Sequence, residues 1–325
     1  MKALLLDKCE FSKESPAALS KKRVWVDFEA SESHMLSAFG ISADEWRKDE
    51  QRQYPRYTER GKFTSIVFFE LEPMLEQRKR LHIYFGKDFL ATVGCSGMMG
   101  SFYENYVREK GMRKFSVEDA IFYILSSAAY KNSELIQKFE ADTNRIEDEA
   151  LKKQKDATLS SIFALKRKLV RYNKFFWRQR ELIFELKNNQ VAFFEPTHEM
   201  KSKLDELFNS ILFDINSIET LREILSDTLD LYHTMISNRI NETIKRLTLV
   251  TVVLTIVATV SMVPNTIATI FGIPYFPWKA DTAVLSIANF TIYPWEAIIS
   301  LIIFFSVVPA VILFYWWNRY SKETQ

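Results

Sequence analysis

From Leu247 to Trp278 the chain holds no Asp, Glu, Lys or Arg, and a second such window runs from Ala297 to Asn318. The hydrocarbon core of a bilayer is about 30 Å thick and takes roughly 20 apolar residues of helix to cross, so either window is long enough. Whole-chain averages conceal this: over 325 residues 26% are charged and the mean hydropathy is -0.12. Almost all of that charge lies before Leu247, leaving a polar domain joined to an apolar C-terminal part. The first expectation is a membrane protein, with the lipid bilayer as a partner, and not a wholly soluble one.

Other classes are excluded more weakly. Two cysteines, Cys9 and Cys95, cannot build a disulfide framework and suit a reducing compartment. The apolar run Ala3–Leu6 ends at Asp7, too soon for the centre of a signal peptide. A net charge of only +2 argues against a nucleic-acid partner, which calls for a clustered basic surplus. Glycine-rich phosphate loops and HExxH are absent, and His34, His82, His198 and His233 are scattered. The acids within 140–149 have no acid/base or metal partner set, so no enzyme is expected.

Residues 1–115 read as a cytoplasmic α/β domain, an α/β sandwich of the α+β class. Arg23-Val24-Trp25-Val26-Asp27-Phe28 alternates as a half-buried strand does, and Ser31–Phe39 predicts a short helix stopped by Gly40. Phe63–Leu71 and His82–Val93 are rich in β-branched and aromatic residues. Gly86-Lys87-Asp88 splits the second into a hairpin, glycine tolerating positive φ. Ser116 with Glu118 and Asp119 predicts an N-cap and an acidic first turn. Residues 116–195 form a helical hairpin, with helices over 117–153 and 157–189 whose surplus charge reads as solvated. Glu195-Pro196 interrupts it.

From Lys201 to Phe271 there is no glycine and one proline, Pro264. Apolar residues at steps of three and four, through Leu204, Ile211, Ile218, Leu225, Ile236 and Leu247, draw one stripe along a continuous helix. At 1.5 Å per residue such a helix would reach about 106 Å. Residues 196–246 are thus expected to be a stalk that runs directly into a first span at 247–272. A loop at 273–296, a second span at 297–318 and a tail at 319–325 follow.

Charge sets the expected orientation. Arg239, Lys245 and Arg246 precede the first span, and Arg319 and Lys322 follow the second. Positive flanks stay cytoplasmic, which places both termini inside and the loop outside. Trp295, Tyr315, Trp316, Trp317 and Tyr320 fall where interfacial aromatic belts are expected. No transit peptide precedes the domain, so the expectation is a multi-pass protein of a prokaryotic plasma membrane.

The first span carries a polar stripe. Asn241, Thr248, Thr255, Met262 and Thr269 recur every seven residues, with Thr251, Thr259 and Thr266 beside them. Small hydroxyls on one face suit a water-filled pore wall or a tight helix interface equally. A membrane threonine can also bond its own i−4 carbonyl and face anything. Two spans cannot enclose a path alone, but a heptad-patterned stalk predicts self-association, and several copies of this face would surround one. The second span is less polar and reads as an outer, lipid-facing helix.

Glu219-Thr220-Leu221-Arg222 and Leu229-Asp230-Leu231-Tyr232 are followed by Ser237-Asn238-Arg239-Ile240-Asn241-Glu242, then Lys245 and Leu247-Thr248. Pro264-Asn265-Thr266-Ile267-Ala268-Thr269-Ile270-Phe271-Gly272 closes the first span. Upstream stand Trp25-Val26-Asp27-Phe28, Ala38-Phe39-Gly40 and Phe85-Gly86-Lys87-Asp88-Phe89. In this order, over almost the whole chain, they resemble the CorA-type divalent-cation channels, the stretch from Ser237 being similar to that family's SNxxNExxKxLT signature. The resemblance implies a funnel-shaped homopentamer with a long pore-lining helix and an outer second span. It makes Asn241 a polar ring and Ile244 with Leu247 a hydrophobic gate. Asp230 matches a stalk acid that helps sense intracellular Mg²⁺. Divalent cations would be cargo and regulators, with no tightly bound cofactor.

Three departures bear on function. Gly272-Ile273-Pro274 stands where the family has Gly-Met-Asn, so the outer mouth keeps backbone carbonyls but loses a ring of amides suited to hydrated Mg²⁺. Leu247–Gly272 is about one heptad longer than the family pattern, adding about 10 Å. The acid expected after Pro55 as partner to Asp230 is replaced around Gly61-Lys62. Asn265 is either a substitute ring or an interhelical hydrogen-bond partner beside Pro264. The leading expectation is passive conduction of Mg²⁺, or of Co²⁺, Ni²⁺ or Zn²⁺, through a homopentamer. The alternative is a related membrane protein with altered selectivity or a non-conducting structural or regulatory role.

Overall fold

Branched and aromatic side chains lose little by sitting on a pleated surface, and the segments rich in them become strands. The structure, a computed structural model, describes residues 1–71, 79–95, 97–109, 111, 114–152, 156–271, 285–287 and 290–323. The chain runs β1 (Lys2–Leu5), β2 (Glu10–Ser12), α1 (Pro16–Leu19), β3 (Val24–Phe28), a 3-10 helix (Ala30–Phe39) and α2 (Ala43–Glu50). It continues through β4 (Arg56–Glu59), β5 (Thr64–Glu70), β6 (Lys79–Phe85), β7 (Phe89–Val93), α3 (Met98–Phe102) and a π-helical turn (Tyr103–Glu109). The remainder is α4 (Val117–Lys152), α5 (Asp156–Lys187), α6 (His198–Phe271), β8 (Leu285–Ile287), β9 (Phe290–Ile292) and α7 (Pro294–Glu323). Two compact units result, Met1–His233 and Thr234–Gln325.

Unit one is built on a seven-stranded sheet in the order β2-β1-β3-β7-β6-β5-β4. It is antiparallel except for the β3–β7 pair, where Trp25 lies beside Leu90. The half-buried reading of Val24–Phe28 is overturned, for all five residues are buried. The alternation is real but divides the strand between two cores. Trp25 joins the cluster that contains Phe102 and the long helices, while Val24, Val26 and Phe28 join Leu36 and Phe39 of the 3-10 helix. A central strand covered on both faces needs no polar side. Asp27 is the exception: Thr92 Oγ1 donates to it at 2.7 Å, and burial pushes its carboxyl up to about 6.

The β6–β7 hairpin forms as expected, for a different reason. Gly86 has no positive φ; a Cβ there would stand 2.7 Å from Phe89 Cε1 and 3.3 Å from the Lys62 carbonyl. Close approach excludes a side chain. Gly40, by contrast, ends the 3-10 helix at φ 78° as a left-handed cap.

The predicted cap of α4 is present: Asp119 N–H donates to Ser116 Oγ at 3.1 Å and Ser116 N–H returns to Asp119 Oδ2 at 2.9 Å. Asn132 then fastens α4 to the end of β5. Its Oδ1 accepts from Leu71 N–H at 2.7 Å, and its Nδ2 donates to the Phe69 carbonyl at 2.9 Å. Phe139 meets Tyr172 across α4 and α5, and Phe184 meets Phe208 across α5 and α6. The first part of α6 thereby completes a three-helix layer over the sheet.

Asp214 is buried where α6 faces α4, and Ser133 Oγ donates to its Oδ2. Burial pushes its carboxyl up to about 6, offset in part by the Ser133 bond, against an ordinary value of about 3.9. Folding thus favours the protonated acid, a contribution complete below about pH 4 and lost as pH rises through about 6. His82, pushed down to about 4 by burial, works in the opposite sense. Comparing Asp214→Asn with its parent isolates the one group. The variant should melt a few degrees higher at pH 8 and level with the parent at pH 4. Scanning calorimetry that found no difference at pH 8 would refute this.

Unit two holds the rest of α6, the antiparallel β8–β9 hairpin with Ser286 opposite Thr291, and α7. Among the described residues, α6 up to Ile267 contains a stretch long and apolar enough to cross a membrane.

Candidate functional site

Every residue of α6 from Ser237 to Thr251 is exposed. Ile244 is 53% and Leu247 61% open. At about 25 cal/mol per Å² of apolar surface left in water, such a helix is suited to surroundings other than water. Beyond it one flank is covered: Val252, Ile256, Val260 and Pro264 are half-buried and Ile267 is buried. These residues follow steps of four and three, a signal present in the sequence but masked there by the uniformly apolar composition.

The polar stripe lies away from that flank, by about 120° on a helix turning 100° per residue. The threonines at 248, 251, 255, 259, 266 and 269 fall within an arc of roughly 80°, and Asn241, Ile244 and Met262 fall inside it. Leu247 and Asn265 sit about 40° outside its edge. The named stripe residues Asn241, Thr248, Thr255, Met262, Asn265 and Thr269 are all exposed. Gly272, Ile273 and Pro274 lie outside the described residues, as does most of the loop expected at 273–296.

Each threonine uses its only hydroxyl hydrogen on its own helix. Thr248 donates to the Ile244 carbonyl at 2.9 Å, Thr255 to Thr251 at 2.8 Å and Thr269 to Asn265 at 2.7 Å. Thr251, Thr259 and Thr266 do the same. With the hydrogen so engaged, the oxygen is left to accept. The stripe is therefore a row of acceptors and methyl groups. It can receive hydrogen bonds from the water around a cation, and it offers an anion nothing. Pro264 adds to this, since a residue without an N–H cannot bond the Val260 carbonyl.

Asp230 lies in unit one, exposed on α6. Among the described residues no three His, Cys, Asp or Glu side chains converge as a metal site. A cleft of about 1000 Å³ between the α2–β4 loop and α5 is lined by Arg52, Arg56, Arg178, Glu181 and Glu185. Arg178 pairs with Glu181 there.

The family model described as CorA-like Mg²⁺ transporter protein matches residues 20–319. The cobalt/magnesium transport protein CorA of Thermotoga maritima is 27% identical over 173 residues, 52% of this chain and 47% of that protein. The chain thus spans about half the length of that curated relative. The protein of the same name from Methanocaldococcus jannaschii is 24% identical over 265 residues, 78% of this chain and 80% of that one. The complete structure of the CorA magnesium transporter from Methanocaldococcus jannaschii superposes with a TM-score of 0.70 at 20% identity, covering 98% of this chain and 97% of that one.

Proposed function

Since the chain belongs to the CorA family of Mg²⁺ transporter proteins, we propose that it passes divalent cations across a membrane along the polar stripe of α6. The observation that carries this reading is the row of threonine oxygens, each with its hydrogen turned back onto the helix. Mg²⁺ gives up its water reluctantly, and acceptors at regular intervals suit an ion that travels with its shell. One copy supplies one wall, so the path belongs to a homo-oligomer, on this reading a homopentamer. Residues 247–272 and 297–318 are its two spans in the plasma membrane, with both termini cytoplasmic.

Asn241 then forms a polar ring at the cytoplasmic end, Ile244 and Leu247 the constriction, and Asn265 an inner ring below the mouth. Asp230 gives intracellular Mg²⁺ a weak regulatory contact, and no other cofactor is required. Gly272-Ile273-Pro274 offers only backbone carbonyls at the mouth. That feature supports a second reading, in which selectivity differs from Mg²⁺ or conduction is lost. The two are separated by flux into proteoliposomes across Mg²⁺, Co²⁺, Ni²⁺ and Zn²⁺. Uptake of one or more is the expected result. No flux of any ion from intact oligomers would overturn conduction and leave the second reading.

A further inference from the structure

The outward face of α5 is not the purely charged surface its composition suggests. Phe163, Val170, Trp177 and Phe184 recur every seven residues and are 45%, 38%, 48% and 47% exposed. The lower end of the row rests on α6, where Arg180 lies over both Trp177 (4.6 Å) and Phe208 (5.0 Å). No Asp or Glu occurs between Ala157 and Arg180, so the row from Phe163 to Trp177 is flanked by cations, Arg167 and Lys174 among them, while Glu181 beside Trp177 and Phe184 is paired with Arg178.

The opposite flank of the three-helix layer is its complement. Ser133 marks the edge of α4 that faces α6, through its bond to Asp214. Glu140 and Glu147 follow it at seven-residue steps and lie on the same edge. Among the described residues these two make no ion pair, whereas Asp142 and Glu149 are taken by Arg145 and Asp148 by Lys152. Exposed Tyr130 (70%) and Leu151 (50%) bracket them, separated by the same number of residues as Phe163 and Phe184.

We propose that the α5 row of one copy docks on the α4 edge of the next, closing the oligomer as a ring through α5–α4 contacts. This rests on the oligomeric reading above. A ring needs two different, complementary faces on each chain, and these are such a pair. The register is set as well. Within one chain Phe139 lies level with Tyr172, and rotation about an axis along α6 keeps levels unchanged. Antiparallel packing then brings Leu151 within about one helical turn of Phe163, and Tyr130 within about one turn of Phe184. Between them Glu140 comes within about one turn of Lys174 and Glu147 within about one turn of Arg167, inside the reach of these long side chains.

The test is the full-length protein in detergent carrying Glu140→Cys and Lys174→Cys. Cys9 and Cys95 are buried and should not interfere. Oxidation should give a ladder of covalent multimers up to the closed ring, with neither single variant doing so. Only monomer bands from an assembly of unchanged native mass would overturn the contact while sparing the oligomer. A wild-type chain that runs as a monomer would overturn both. Independently, Lys174→Glu should raise the dissociated fraction about tenfold, and adding Glu140→Lys should restore it. Failure of the second change to rescue the first, or Trp177 fully open to acrylamide in the intact assembly, would assign the row to some other partner and reject the proposal.

Discussion

Replacing Ile244 and Leu247 together with Asn should raise resting divalent-cation flux about tenfold or more. Both are more than half exposed on α6. Ile244 falls inside the arc of the polar stripe, and Leu247 sits about 40° beyond it. Where several copies bring such side chains to an axis, a short apolar constriction expels water and with it any hydrated ion. Asn is close to Ile in helix propensity and somewhat below Leu, so α6 should persist. Yet the substitution replaces each apolar wall with a group that holds water. Lowering the barrier by only about 1.4 kcal/mol gives the tenfold increase. A Mg²⁺-sensitive dye inside proteoliposomes measures it. Unchanged flux from intact oligomers would remove these residues from the constriction.

The second large effect is on stability. Asp49, at the end of α2, is fully buried; Arg60 Nη2 donates to its Oδ1 at 2.7 Å, and Arg52 Nε stands 3.9 Å away. The Arg60 side chain is itself only 12% exposed. Asp49→Ala leaves that guanidinium buried without its carboxylate, a change that costs about 3–5 kcal/mol, a large share of the roughly 5–15 kcal/mol that holds a domain folded. Removing the cation as well, with Asp49→Ala and Arg60→Met together, should recover most of the loss. Urea unfolding followed by near-ultraviolet circular dichroism distinguishes these outcomes. A single-variant loss under about 1 kcal/mol would mean that another acid, such as Glu45, which feels the Arg60 charge, takes over Arg60.

Much of the candidate site is visible before any coordinates. A helix without glycine, with apolar steps of three and four, can only run on, and α6 does so from His198 to Phe271. The seven-residue threonine spacing places those side chains on one face of any α-helix, whatever surrounds it. What the hydroxyls do is another matter. Back-bonding to the i−4 carbonyl and facing a partner are both compatible with the same letters, and geometry selects the first for all six. The seven-residue row on α5 was equally present in the sequence, but the charges between its members disguise it until exposure is known.

The properties legible from the residues alone were therefore local or additive. The charge-free windows, the continuous α6, the Ser116–Asp119 cap and the strand segments each depend on residues a few positions apart. Which surfaces are covered depends on how distant segments pack. Packing buried both faces of Val24–Phe28, gave Gly86 its role through the nearness of Phe89 and Lys62, and joined Asp49 to Arg60. It also left the α5 row and the Glu140–Glu147 edge on open flanks of one helical layer. Burial is a property of where distant segments meet, and hydrophobic periodicity names a face without naming what lies against it.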